Sequence, residues 1–219
     1  WKSNYVEFDN GFLFAVNHVN VKERFVWRTN QGTAGAYLLS VSDVEIPLEV
    51  HSFESCETED YIEMRTTFDM VTRVLRVYHD KTIEVIFEVD IRSRNNGELW
   101  AVYSIVDAKK LCSDVHGLTW ECHSEPNAPL QAKFWPMPTM AWLESKEHKM
   151  TWITGQPTGV GFDKGKMIMI LDRRGNRDDA RGLGQGISDT VAVDMRFGLL
   201  MNEEHDKALR VREWILNPS

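Results

Sequence analysis

Lys81-Thr82-Ile83-Glu84-Val85-Ile86-Phe87-Glu88-Val89-Asp90-Ile91 decides the fold class. Ile83, Val85, Phe87, Val89 and Ile91 occupy alternate positions, with Glu84, Ile86, Glu88 and Asp90 between them. A period of two is that of a strand, whose successive side chains point to opposite faces, so the segment predicts a strand with one buried face. Working outward, Tyr61 to Phe68 repeats the pattern, with Ile62, Met64 and Phe68 on one side and Glu63, Arg65 and Thr67 on the other. Glu98 to Val106 and Lys149 to Thr154 are further strands, rich in Trp, Val, Tyr and Ile. Met167 to Leu171 is apolar at every position, which suits a central strand covered on both faces.

Turn signals separate these runs: Asn95-Asn96-Gly97, Glu125-Pro126-Asn127, Gln156-Pro157-Thr158-Gly159 and Asp163-Lys164-Gly165. Many short strands between such turns predict an all-β sandwich. Glu203 to Leu216 alone has helical spacing, through Ala208, Val211 and Ile215, and no long helix is expected even there. No internal repeat or low-complexity linker divides the chain, so residues 1–219 are expected to form a single β-sandwich domain. The chain opens on Trp1 and closes on Asn217-Pro218-Ser219, which reads as a piece of a longer polypeptide.

The formal charge of −8, from 33 acidic and 25 basic residues without a long Lys/Arg run, would repel a phosphate backbone, so no nucleic-acid partner is expected. No stretch approaches the roughly 18 to 20 apolar residues of a membrane span, and no membrane contact is expected of this segment. Cys56, Cys112 and Cys122 are too few for a disulfide framework or a zinc knuckle. Cys112 and Cys122 could close across a hairpin, and separate thiols are the even alternative. The seven histidines, His18, His51, His79, His116, His123, His148 and His205, lack metal-ligand spacing, so no metal site is expected within the chain. His116 and His123 flank Trp120 and could meet.

The most unusual segment is Asp172 to Gly186, with four arginines, three aspartates and four glycines in fifteen residues. Tight backbone turns plus paired opposite charges can hold a side chain rigidly at a pocket mouth. The competing reading is a solvated loop of ordinary ion pairs. Gly182-Leu183-Gly184-Gln185-Gly186 lacks the Gly-Lys-Ser/Thr ending of a phosphate loop. Asp178 and Asp179 could form a catalytic carboxylate pair, but adjacent residues point differently, and anchoring the arginines is the better role. The Trp residues could pack on sugar faces, though core filling is the stronger expectation.

Four motifs, in order, carry a family resemblance: Phe134-Trp135-Pro136-Met137-Pro138-Thr139-Met140-Ala141, Ile153 to Val160, Ile170-Leu171-Asp172-Arg173-Arg174, and Arg177-Asp178-Asp179-Ala180-Arg181-Gly182-Leu183-Gly184-Gln185-Gly186. Ala34-Gly35-Ala36-Tyr37-Leu38-Leu39 adds a fifth. Together they resemble the C-terminal half of class II α-mannosidases of glycoside hydrolase family 38, in its Golgi branch, over about residues 32 to 189. Departures fall at Ala34, where the family has a serine, at Gly175, where it has a bulkier apolar residue, and at Ala180.

The resemblance implies a β-supersandwich like that of galactose mutarotase, within a multidomain enzyme that hydrolyses α-linked mannose in N-glycans. It implies zinc and the catalytic aspartate in an N-terminal catalytic domain of the same polypeptide, so that this chain holds no catalytic residue and is inactive alone. It further implies a place in the secretory pathway, in the Golgi lumen, with lysosomal or extracellular placement as the alternative. By resemblance, Tyr37 and Arg181 contact the mannose-containing glycan, with Asp178 and Asp179 orienting Arg181 and Gly182 letting the backbone approach. The alternative is a noncatalytic carbohydrate-binding or interaction domain of the same fold.

Overall fold

The structure, a computed structural model, describes residues 6–8, 11–16, 19–115, 119–125, 127–188 and 190–217. Seventeen strands run through them. The first nine are β1 (Val6–Phe8), β2 (Gly11–Val16), β3 (Val19–Asn30), β4 (Val41–Pro47), β5 (Val50–Glu57), β6 (Tyr61–Phe68), β7 (Val71–Tyr78), β8 (Ile83–Val89) and β9 (Gly97–Ser104). The remainder are β10 (Lys110–Val115), β11 (Thr119–Ser124), β12 (Phe134–Met137), β13 (Met140–Glu144), β14 (Lys149–Thr154), β15 (Thr158–Asp163), β16 (Lys166–Arg174) and β17 (Val193–Met201).

They form two antiparallel sheets. The first has the order β1-β2-β3-β9-β16-β15-β12, with β4 also on β3; the second has the order β11-β10-β13-β14-β17-β8-β7-β6-β5. The all-β expectation holds, and the strand at Met167 to Leu171 is central, paired to β9 and β15. It extends to Arg174, three residues beyond the apolar run, because Asp172, Arg173 and Arg174 continue the ladder with Leu99, Glu98 and Gly97 past a bulge.

One apolar cluster draws buried side chains from both sheets. Phe25 of β3 lies 4.8 Å from Phe68 and 5.5 Å from Phe87 of the second sheet, and Tyr103 of β9 lies 4.5 Å from Trp152 of β14. Burial of such rings, each removing on the order of 150–250 Å² from water, is what holds two β layers face to face. Trp27, Trp100, Trp142 and Trp152 are buried, in line with core filling.

A polar network crosses this core. Arg73 of β7 donates to Glu23 of β3 and, at 2.8 Å, to Thr66 of β6, while the Tyr103 hydroxyl donates to Glu23 at 2.8 Å. Glu23 and Arg73 are 2% and 0% exposed, so this is an ion pair out of water that ties one sheet to the other.

The alternating strand has one fully buried face, Ile83, Val85, Phe87 and Val89; on the other, Ile86 and Glu88 are half-buried and Glu84 alone is 2% exposed, where Arg76, Arg196 and the Tyr78 hydroxyl meet its carboxylate. In line with the helical spacing from Glu203 to Leu216, a short helix forms there, α1 (His205–Leu216), twelve residues long. Its buried face is Ala208, Val211 and Ile215, packed on Met140, Ile153 and Leu200 of the second sheet. That packing of one apolar stripe adds to the good helix formers of the segment, Lys207, Ala208, Leu209, Arg210, Arg212, Glu213 and Leu216. No helix among the described residues is long and apolar enough to cross a membrane.

Cys112 and Cys122 face each other across the β10–β11 hairpin and form a disulfide, while Cys56 on β5 is exposed and free. Tyr78 joins α1 to the β7–β8 hairpin, its ring 5.2 Å from Trp214. Burial and the adjacent Glu84 carboxylate push its phenol from 10.0 up to about 12. An acid whose folded value is raised contributes stability that is complete below its unfolded value and lost as pH rises through the folded one. Denaturant midpoints should therefore fall between pH 10 and about 12, and Tyr78→Phe should flatten that fall; an unchanged slope in the variant excludes Tyr78 as its source.

Candidate functional site

The sheet order explains how residues far apart in sequence meet. β9 lies between β3 and β16 and is antiparallel to both, so β3 and β16 run in the same direction. Thr29 and Arg174 pair with the same residue, Gly97, from opposite sides. The loops leaving β3 and β16 therefore start side by side, about 10 Å apart at two interstrand spacings.

The loop after β3 turns back on itself through bonds from Gln31 N–H to the Ser40 carbonyl (2.8 Å) and from Gly35 N–H to the Leu38 carbonyl (3.1 Å). Two side chains from the β16 region then grip it. Asp179 is 5% exposed, and one of its carboxylate oxygens accepts the backbone N–H groups of Tyr37 (2.6 Å) and Leu38 (3.0 Å). Its other oxygen accepts the Arg181 N–H at 3.2 Å. Arg173 holds the opposite polarity of the same loop, donating to the carbonyls of Gly35 (3.1 Å) and Ala36 (3.3 Å). Arg173 is itself fixed at 2.7 Å by Glu98, a fully buried carboxylate that also accepts the Trp100 indole N–H at 2.9 Å.

The two loops approach so closely that position 35 has no room for a side chain. A Cβ on Gly35 would stand 2.6 Å from the Asp179 Cβ, well inside van der Waals contact. This close approach is the physical reason for a glycine two residues before Tyr37.

The structure thus attaches the backbones of Tyr37 and Arg181 to one buried carboxylate, with both side chains exposed, Tyr37 by 66%. The loop's charges act differently from the pairing that composition suggests. Among the described residues no ion pair joins Asp178 or Asp179 to Arg181; Asp179 positions that residue through its amide, and Asp178 accepts the Ala180 N–H at 3.1 Å. Both oxygens of Asp179 are committed to backbone donors, and Asp178 is exposed beside it, which is not the arrangement of a catalytic pair across a bond. Ala180 takes φ +56 and Gly182 φ +112, so the chain reverses on either side of Arg181. Arg177 donates to the Gly32 carbonyl at 3.0 Å and Arg174 to the Arg92 carbonyl at 3.1 Å.

Sequence reasoning missed Glu98, Arg173 and Gly35 as parts of this assembly. A glutamate inside the apolar run Glu98-Leu99-Trp100-Ala101 was the available signal, since a carboxylate there needs a cationic partner. Of the histidines, His18 and His116 lie outside the described residues, so the suggested meeting of His116 with His123 does too. His123 instead stacks on Trp135, centroids 3.9 Å apart at 8°, and burial lowers its pKa. Among the described residues no three His, Cys, Asp or Glu side chains are grouped to hold a metal ion.

An exposed phenol and an exposed guanidinium on rigidly held loops can donate to and accept from the hydroxyls of a polyhydroxylated ligand. Comparison with protein-family models gives no match. Comparison with curated proteins shows that the chain is homologous, over most of its length, to part of proteins named as alpha-mannosidases. The family is that of alpha-mannosidase 2, and the match falls in a C-terminal portion of those proteins. The chain is 31% identical over 186 residues to "Alpha-mannosidase 2x" of Mus musculus, covering 80% of this chain and 16% of that protein. It is 34% identical over 152 residues to "Alpha-mannosidase 2" of Homo sapiens (65% and 13%) and 28% identical over 194 residues to the Drosophila melanogaster protein (85% and 18%). The chain therefore spans less than a fifth of the length of these relatives.

Proposed function

We propose that this chain is the C-terminal β portion of an α-mannosidase that hydrolyses α-linked mannose in N-glycans, and that Tyr37 and Arg181 form part of its sugar-site wall. The observation that carries the reading is the buried Asp179 carboxylate, which binds the amides of both residues and so presents their side chains from one anchored unit. In this reading Tyr37 and Arg181 hydrogen-bond sugar hydroxyls, orienting the sugar and favouring its transition state through bonds that strengthen there. Asp179, Arg173 and Glu98 act as positioning residues.

The nucleophile and the zinc belong, on this reading, to the N-terminal catalytic domain of the parent polypeptide. The homology to alpha-mannosidase 2 supports placement in the secretory pathway, and the resemblance to the Golgi branch extends this reading to the Golgi lumen. The disulfide between Cys112 and Cys122 agrees with an oxidising compartment.

Arg181→Ala in the full-length enzyme should lower kcat/KM about 10- to 100-fold, the range for losing one or two charged hydrogen bonds. The unfolding midpoint should stay unchanged, since the side chain is exposed. Wild-type kinetics in that variant would remove Arg181 from the sugar site. Measurable mannose affinity of this chain alone would instead favour the noncatalytic binding reading.

A further inference from the structure

We propose that a charged cleft on the outer face of the first sheet binds an acidic, hydroxyl-rich ligand, that is, a monosaccharide unit carrying a phosphate or carboxylate group. The cleft has a volume of about 710 Å³, within the range of small-molecule sites. Its floor is apolar, formed by Val102 of β9, Ile168 of β16 and Leu130. One wall comes from β3 and β4, the other from the short 3-10 turn Leu130–Lys133 and the β15–β16 hairpin. The site does not depend on the role given to Tyr37 and Arg181, which belong to loops at the end of the sheet and do not line it.

Three features specify the ligand. First, both walls are built from fixed groups. Glu45 binds Arg24 and, at 3.2 Å, Arg28, and Arg28 also donates to the Ser42 carbonyl at 2.8 Å and lies 4.8 Å from the Trp100 ring centroid. Opposite them, Glu125 accepts the N–H groups of Lys164 (2.6 Å) and Gly165 (3.1 Å) and so pins the hairpin turn. Lys133 bridges Glu125 (3.4 Å) and Asp163 (2.6 Å).

Second, the charge of the lining runs against that of the chain. Arg24, Arg28, Lys133, Lys164 and Lys166 outnumber Asp43, Glu45 and Asp163 in a protein whose formal charge is −8. Glu45 is taken up by two arginines and Asp163 by Lys133, while Lys164 and Lys166 make no ion pair among the described residues. These two ammonium groups are the ones available to an anion.

Third, the carboxylates interleaved with these donors suit a ligand that also offers hydroxyl hydrogens, which a bare anion does not. The apolar floor suits the C–H face of a sugar ring. A neutral sugar would leave the two lysines unanswered, and an inorganic anion would leave the acceptors and the floor unused.

The test is calorimetric titration of the chain with glucose 6-phosphate and with glucuronate, set against inorganic phosphate and methyl glucoside. At least one acidic sugar should bind about tenfold or more tightly than both controls, a difference of about 1.4 kcal/mol. Whichever acid binds better identifies the anionic group. Lys164→Gln together with Lys166→Gln should reduce that affinity about tenfold or more without moving the unfolding midpoint, and Arg181→Ala should leave it unchanged. Absence of binding by either acidic sugar overturns the proposal. So does phosphate binding as tightly as the sugar phosphate, which marks an adventitious anion only, or undiminished affinity in the double lysine variant. Because Arg181→Ala serves as the control, failure here leaves the reading of the Tyr37–Arg181 loops standing or falling on its own kinetics.

Discussion

Arg73→Met should lower the stability of the folded chain by about 3–5 kcal/mol, the cost of removing one partner of a buried ion pair and leaving the other uncompensated. Arg73 and Glu23 lie between the two sheets, 0% and 2% exposed, and the Tyr103 hydroxyl depends on the same carboxylate. Burial pushes the Glu23 carboxyl up while Arg73 pulls it back, so the pair is held against a desolvation cost, and a lone Glu23 would take up a proton or open the core to water. Replacing both residues with apolar side chains of similar volume should recover much of the loss, since a well-packed apolar pair carries no such cost. Denaturant titration of the single and double variants measures this. A single-variant loss below about 1 kcal/mol would mean that the network is not structural.

Asp179→Ala should be the most damaging single change at the candidate site. It removes the acceptor of three backbone N–H groups, two in the loop after β3 and one at Arg181. With hydrogen bonds to a charged group contributing about 1.5–3 kcal/mol each and partial rescue by water, a loss of about 2–4 kcal/mol is expected. Amide exchange gives the decisive readout: the Tyr37, Leu38 and Arg181 amides should lose protection together, while those of the β3–β9 ladder keep theirs. In the full-length enzyme the activity loss should equal or exceed that of Arg181→Ala, because both side chains lose their support. Independent loss of protection at only one loop would show that Asp179 does not join them. Gly35→Val reaches the same clamp from the other side, through its 2.6 Å approach to Asp179.

The fold class was legible because alternation is a local property. β6 and β14 lie where Tyr61–Phe68 and Lys149–Thr154 place them, and β8 lies within Lys81–Ile91, two residues shorter at each end. What alternation could not show was the burial of Glu84 on the other face of β8. Glu84 looks like a solvent-facing residue until Arg76 of β7 and Arg196 of β17 are brought beside it, and strand order is not local. The short helix at His205–Leu216 was legible in the spacing of Ala208, Val211 and Ile215; what the spacing could not show was the surface of Met140, Ile153 and Leu200 on which they pack. The site divides in the same way. Composition drew attention to Asp172 to Gly186, and the choice of Tyr37 and Arg181 came from resemblance. The division of labour, with Asp179 on amides and Arg173 on carbonyls, required the register that sets Thr29 and Arg174 on either side of Gly97.

That shared pairing at Gly97 also constrains how the two loops can diversify. A Cβ at this position would stand 2.5 Å from the Trp27 indole and 2.6 Å from the Arg28 carbonyl, so any larger residue would wedge β3 away from β9. The span between the loop roots is therefore a property of the framework, and insertions or deletions beyond Thr29 and Arg174 would reshape the fingertips while the gauge between them stayed constant.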